Sequence, residues 1–190
     1  MLNKKGHPER WKEIAALFVL FCLPFFMGLS WQEAEEEILD VKTYLSLDGV
    51  HTGETIDVAF VLDITPGWHI NGPEQEDEFM IPCSLSIEED ETFEVVEIYY
   101  PVPEKRSYKY SEAELQVYEG KVVLGARVKV KDAIQEGKYF LEAKFSYQAC
   151  NDVSCMPPEA LGVEIPFQVV PDVTVTKKLN QEIFARIKFR

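Results

Sequence analysis

Four stretches of this chain alternate apolar and polar residues with a period of two, and no other feature constrains the fold as much. Ile56, Val58, Phe60, Leu62 and Ile64 form the first stretch, and Val122, Leu124, Ala126, Val128 and Val130 the second. Tyr139, Leu141, Ala143, Phe145, Tyr147 and Ala149 form the third, and Val163, Ile165, Phe167 and Val169 the fourth. A period of two places every second side chain on one face, so each stretch predicts a half-buried antiparallel strand resting on a core. Weaker strand runs lie at Leu39–Leu47, Ser84–Glu88 and Phe93–Tyr100. Turn signals separate them at Asp48-Gly49, Thr65-Pro66-Gly67, Asn71-Gly72-Pro73, Glu119-Gly120 and Glu136-Gly137. Seven or so short strands with turns between them predict an all-β, immunoglobulin-like antiparallel β-sandwich. Lys138–Ala149 reads as one strand, with Cys150 opening its exit turn. The polar, tyrosine-rich run Pro101–Glu114 reads as a long loop, a length that in compact domains often marks a functional lid. Near the end the period changes: Leu179, Ile183 and Ile187 recur every four residues from Thr176 onward, which predicts a short C-terminal helix that packs on the sandwich or serves as a docking tail.

The first thirty residues read differently. Lys4, Lys5, Arg10 and Lys12 precede an apolar run from Ile14 to about Leu29, and the small residues Gly28 and Ser30 follow. A charged start, an apolar middle and a small-residue exit predict a signal peptide over 1–30 and export of the rest. The competing reading is an uncleaved signal anchor holding the chain to an inner membrane, although the run is short for a span and Pro24 interrupts it. Cys22 follows bulky Phe21 inside the apolar run and reads as part of this segment, not as a lipidation site. The sequence thus divides into a signal segment (1–30), an acidic lead (31–37), a sandwich domain (38–172) and a helical tail (173–190).

Charge excludes some partners. Four of the 19 Lys and Arg and two of the 33 Asp and Glu lie in the first thirty residues, so the exported part carries 15 against 31, a net charge of −16. A chain this acidic has no basic footprint for nucleic acid, and it is repelled by anionic lipid. The charge favours a soluble, monomeric domain.

Chemistry concentrates in Tyr147-Gln148-Ala149-Cys150-Asn151-Asp152-Val153-Ser154-Cys155-Met156-Pro157-Pro158, which puts two cysteines five positions apart at the end of a strand. Two thiols that close in sequence can form and break a disulfide without unravelling the fold, which is what thiol–disulfide exchange requires. A ring this small adds only about 2 kcal/mol of stability by loop-closure entropy, which is weak for a staple. Three readings remain open from the residues alone: a redox pair, a plain loop clip, and half of a metal site completed by His51 or His69. The spacing is long for a zinc knuckle and there is no second cysteine pair. Cys83, in Ile81-Pro82-Cys83-Ser84-Leu85, reads as a buried small hydrophobe.

The cysteine block, together with Pro66-Gly67-Trp68-His69-Ile70-Asn71, Phe79-Met80-Ile81-Pro82 and Val117-Tyr118-Glu119-Gly120 in the same order, resembles the N-terminal periplasmic domain family of the thiol:disulfide interchange protein DsbD over about Leu39 to Val170. The resemblance implies an immunoglobulin-like fold and a protein-disulfide reductase type of activity without cofactor or metal. It implies electrons taken from a membrane-embedded thiol reductase and passed to thioredoxin-like extracytoplasmic proteins. It also implies that Cys155 makes the mixed disulfide with the partner and Cys150 resolves it. The cysteine spacing departs slightly from the family's pattern, which changes the loop shape but still permits the bond.

The family shelters its cysteines under a cap loop bearing an aromatic residue. Asp77-Glu78-Phe79 has the letters of that cap. The order of the flanking blocks instead places the cap between Pro101 and Glu114, making Tyr108 and Tyr110 the candidate lid residues and Phe79 a core or strand-entry residue. The alternative is that both tyrosines are ordinary loop aromatics. Trp68 and His69 follow a turn and could line the site; His69 could equally be a loop histidine bonded to backbone. Asp152 could disfavour the thiolate until a partner docks, or simply shape the turn. The rival function is a non-catalytic secreted binding module whose disulfide is structural, for example within an export or cytochrome c maturation complex.

Overall fold

The structure is a computed structural model that describes residues 37–190. The signal segment, with Cys22, and nearly all of the acidic lead lie outside the described residues. The described residues form eleven strands: β1 (Leu39–Leu45), β2 (Thr55–Ile64), β3 (His69–Asn71), β4 (Ser84–Ile87), β5 (Phe93–Tyr99), β6 (Glu104–Arg106), β7 (Leu115–Glu119), β8 (Lys121–Val130), β9 (Gly137–Tyr147), β10 (Ala149–Cys150) and β11 (Glu159–Val169). One helical turn, α1 (Gln181–Phe184), follows. Every strand pair is antiparallel.

Two sheets make the sandwich, in the strand orders β1-β2-β8-β5 and β11-β9-β4. Their inner faces supply the core predicted from the alternation: Ile56, Val58, Phe60, Leu62 and Ile64 from β2, Leu124, Ala126 and Val128 from β8, and Leu141, Ala143 and Phe145 from β9 are all buried. Phe93 meets Phe167 edge-on across this core, with ring centroids 6.4 Å apart. Cys83 is buried in the same core, and burial pushes its thiol up to about 12, so it stays protonated and inert.

The outer face of the β2–β8 pair is also covered, by Ile183, Phe184, Ile187 and Phe189 from the C-terminus against Ala59 and Val123. Gly125 makes room: a Cβ there would sit 2.7 Å from Ile187 Cγ2 and 3.1 Å from Phe189 Cζ. Arg127 caps this patch, paired with Asp57 at 2.8 Å and lying 4.2 Å over the Phe189 ring. The helix is shorter than the four-residue spacing from Thr176 suggests. Residues 177–179 instead extend along the exit of β1, with Asp48 N–H donating to Lys177 O and Leu179 N–H to Ser46 O. Helical backbone begins only after Asn180, which turns through a left-handed conformation.

A third, smaller sheet carries the site. Its order is β10-β3-β7-β6, and it sits where strands of the sandwich run past its end. The run predicted as one strand, Lys138–Ala149, breaks at Gln148: β9 pairs with β11 and β4, whereas β10 pairs with β3. A chain that changes sheets must interrupt its hydrogen-bond ladder, and Gln148 is the residue at that corner. Gly120, at φ 59, makes the matching corner between β7 and β8. The long loop expected over Pro101–Glu114 contains β6, a three-residue strand too short for its period to be visible.

A hairpin disulfide beneath a tyrosine pair

Cys150 and Cys155 are joined, with S–S 2.02 Å and Cα–Cα 4.0 Å. The local sequence explains how. Asn151 N–H donates to Ser154 O, and the Asn151 side-chain Oδ1 accepts from the N–H groups of both Val153 and Ser154. This Asx-type turn folds the chain back within four residues. Met156 N–H then donates to Ala149 O at 2.8 Å. Those two backbone bonds flank Cys150 and Cys155, which therefore face each other as a non-hydrogen-bonded antiparallel pair, the closest approach two strands allow.

The two sulfurs are not equivalent. Cys150 is fully buried, whereas Cys155, on the outer limb, is partly exposed. Of the two residues, only Cys155 is reached by solvent. Val153, at the tip, is 82 % exposed, and Met156 beside Cys155 is 39 % exposed.

The small sheet extends this pair into a row. Cys150 lies opposite His69, and His69 opposite Glu119. Directly opposed residues of antiparallel strands point to the same face, so Glu119, His69, Cys150 and Cys155 line up across four chain segments. Two tyrosines lie against this row. The Tyr108 ring stacks on His69 with centroids 4.2 Å apart, and Tyr110 stacks on Tyr108 at 5.3 Å. Tyr110 Oη is 2.8 Å from His69 Nε2, and Tyr108 Oη donates to Glu119 Oε1 at 3.3 Å. A cleft of about 540 Å³ separates the tyrosine loop from the hairpin tip, lined by Ser107, Tyr108, Lys109, Tyr110, Asp152 and Val153.

Burial keeps His69 and the two tyrosines uncharged. Burial lowers the His69 pKa from its ordinary value, against the opposing pull of Glu119 and Asp152, so the imidazole is neutral at pH 7. Burial, and then Asp152, push the Tyr110 hydroxyl up to about 12. Burial and Glu119 raise the Tyr108 hydroxyl further.

The structure thus brings Tyr108, Tyr110, His69 and Asp152 together around the cysteines. Trp68 ends the Thr65-Pro66-Gly67 turn and packs half-buried against the main core, the cluster that also holds Tyr147 and Ala149. His69 bonds a tyrosine hydroxyl, not backbone. Phe79 departs from expectation: it is 78 % exposed, neither core nor strand entry, because its N–H is held by the Asp77 carboxylate in a loop that stays outside the sheets. The sequence reading did not single out Glu119, Asn71, Gln148 or Asn151 as site residues. Asn151 carried a usable signal, an Asn opening a short turn between strand ends; the others became visible only through strand register. Among the described residues no group of three His, Cys, Asp or Glu side chains could hold a metal ion, and no helix is long and apolar enough to cross a membrane.

The chain belongs to the family described as thiol:disulfide interchange protein DsbD, N-terminal, whose model matches residues 35–165. Among solved structures it is similar to the N-terminal periplasmic domain of ScsB from Proteus mirabilis, at 12 % identity and a TM-score of 0.52, covering 80 % of this chain and 55 % of that one. It therefore spans about half the length of that chain, and the likeness is one of fold. It is also similar to the Neisseria meningitidis DsbD n-terminal domain in the reduced form, at 14 % identity and a TM-score of 0.41, covering 72 % of this chain and 89 % of that one. No curated protein matches the chain.

Proposed function

We propose that this is an extracytoplasmic module that relays reducing equivalents from a membrane-embedded thiol reductase to thioredoxin-like proteins through the Cys150–Cys155 pair. The observation that carries this reading is a hairpin disulfide whose two cysteines are unequally exposed, Cys150 buried and Cys155 partly open. A reduced donor's thiolate attacks Sγ of Cys155. The S–S bond breaks, and its electron pair leaves on Cys150, which takes up a proton. A second donor thiol, losing its proton, attacks the donor sulfur in the mixed disulfide and releases Cys155, whose sulfur takes up that proton. Two electrons and two protons have then entered the domain, and the donor leaves as a disulfide. Delivery runs the same steps backwards: the Cys155 thiolate attacks the acceptor disulfide, and Cys150 resolves the intermediate.

The exchange reading separates cleanly from a structural clip. Mixing the oxidised domain with a stoichiometric amount of reduced thioredoxin should yield the Cys150/Cys155 dithiol within seconds to minutes, counted by thiol titration. A disulfide still intact after an hour would identify a clip.

The tyrosine loop acts as the cap. Stacking on His69 holds it beside the hairpin, where it limits access to the dithiol. Replacing both Tyr108 and Tyr110 with Ala should speed alkylation of the reduced domain by iodoacetamide by about tenfold, because thiol reactivity depends on access as well as on thiolate content. An unchanged rate would place the lid elsewhere.

A further inference from the structure

The geometry points to Gln148 as the positioning residue that keeps Cys155 opposite Cys150 once their bond is broken. This rests on the exchange reading above. In the oxidised domain the covalent ring fixes both sulfurs. In the dithiol, only non-covalent ties hold the outer limb, Cys155 and Met156, against β10. One is the Asn151 turn. Another is the backbone bond from Met156 N–H to Ala149 O. The third is Gln148, whose Nε2 donates to Met156 O at 3.2 Å, one residue beyond the exchanging sulfur.

Gln148 is itself anchored at its other end. Its Oε1 accepts from Ile81 N–H and from Asn71 Nδ2, both at 3.2 Å. Asn71 is fully buried, and its Nδ2 also donates to Ile81 O at 2.9 Å. Asn71 Oδ1 has no hydrogen-bond partner among the described residues. An unpaired buried oxygen is costly, so this amide is turned to suit its donor end. A chain of amides therefore runs from the core through Gln148 to the carbonyl that follows Cys155. With its oxygen held twice, the Gln148 amide can only point its nitrogen at the hairpin.

How readily a dithiol closes depends on how often its sulfurs meet, which is an effective concentration. Without the clamp, the reduced limb swings away from Cys150, while the oxidised ring stays closed. The equilibrium then moves toward the dithiol, and attack by Cys150 on a Cys155 mixed disulfide slows.

Two variants test this. Gln148→Met keeps the side-chain length without polar atoms. Gln148→Glu keeps an acceptor for Ile81 and Asn71 and loses the donor to Met156; it carries the test should Gln148→Met fail to fold. Each is equilibrated in glutathione redox buffers. The equilibrium constant for disulfide formation should fall about five- to tenfold in both, in line with the loss of one hydrogen bond; the tenfold end corresponds to about 30 mV. The rate at which dithiothreitol first attacks the oxidised form should change by no more than about twofold, since the ring already fixes that sulfur. Formation constants equal to the parent's in both variants would overturn the assignment, as would a fall matched by an equal change in the dithiothreitol rate. Glutathione and dithiothreitol are the redox reagents in these measurements, so their outcome is independent of whether the domain reacts with thioredoxin.

Discussion

The Cys150→Ala variant should turn the domain into a trap. Its remaining site sulfur, on Cys155, is the accessible one, and when reduced it attacks a disulfide in a thioredoxin-like protein to form the mixed disulfide. With a partner that keeps only its attacking cysteine, activated as a mixed disulfide with a small aromatic thiol, no neighbouring thiol is left on either protein to break the link. In the parent, Cys150 is held directly across the hairpin at a Cα–Cα distance of 4.0 Å and acts as an intramolecular nucleophile. Such groups have effective concentrations far above the millimolar thiol of any added reductant, so the trapped species should persist at least about a thousandfold longer than in the parent. The Cys155→Ala variant should trap nothing, because Cys150 is completely buried. Cys83 cannot substitute, since it lies in the core with its thiol held protonated. Non-reducing electrophoresis after incubation with that single-cysteine partner reads all three chains. Equal trapping by the two variants would mean that exposure does not set the order of attack.

The second large effect is on stability. Phe145 is 1 % exposed on β9, the middle strand of its sheet, opposite Leu161 on β11 and Leu85 on β4, and it stacks on Tyr147 at 5.8 Å. Phe145→Ala removes a buried ring and leaves a cavity that flanking strands on both sides keep open. The expected cost is about 3–5 kcal/mol, a large share of the roughly 5–15 kcal/mol that a domain has. The urea midpoint should fall with little change in slope. Val153→Ala, at the exposed hairpin tip, should stay within about 0.5 kcal/mol of the parent. A Phe145→Ala cost below about 1 kcal/mol would show that β9 is not the middle of the core. The same strand delivers Gln148 and Cys150, so loss of its register would also disarm the site.

The long alternating strands were legible in the sequence because each buries one face over many residues, as β2 and β9 do. So was the cysteine pair, because a strand end followed by a four-residue gap leaves the two thiols little choice but to meet. The small sheet was not legible. His69–Asn71 and Glu104–Arg106 are three residues each, too few to display a period, and their pairing is settled by distant neighbours. Strand register alone places Glu119, His69 and Cys150 in one row, and register is a tertiary property. The shortened C-terminal helix has the same cause: a four-residue spacing also suits a chain that runs extended past β1 and then drops Ile187 onto Gly125. Gln148 was in plain view beside Cys150, but its role depends on a buried asparagine dozens of residues away.

Exchange with a partner begins at one sulfur of the pair. Acid-quenching the parent domain midway through its reaction with reduced thioredoxin, followed by proteolysis and mass spectrometry without reduction, reports that directly. Thioredoxin linked to the peptide bearing Cys155 is the predicted species. Linkage to Cys150 or Cys83, or a reaction that never begins, would contradict the account.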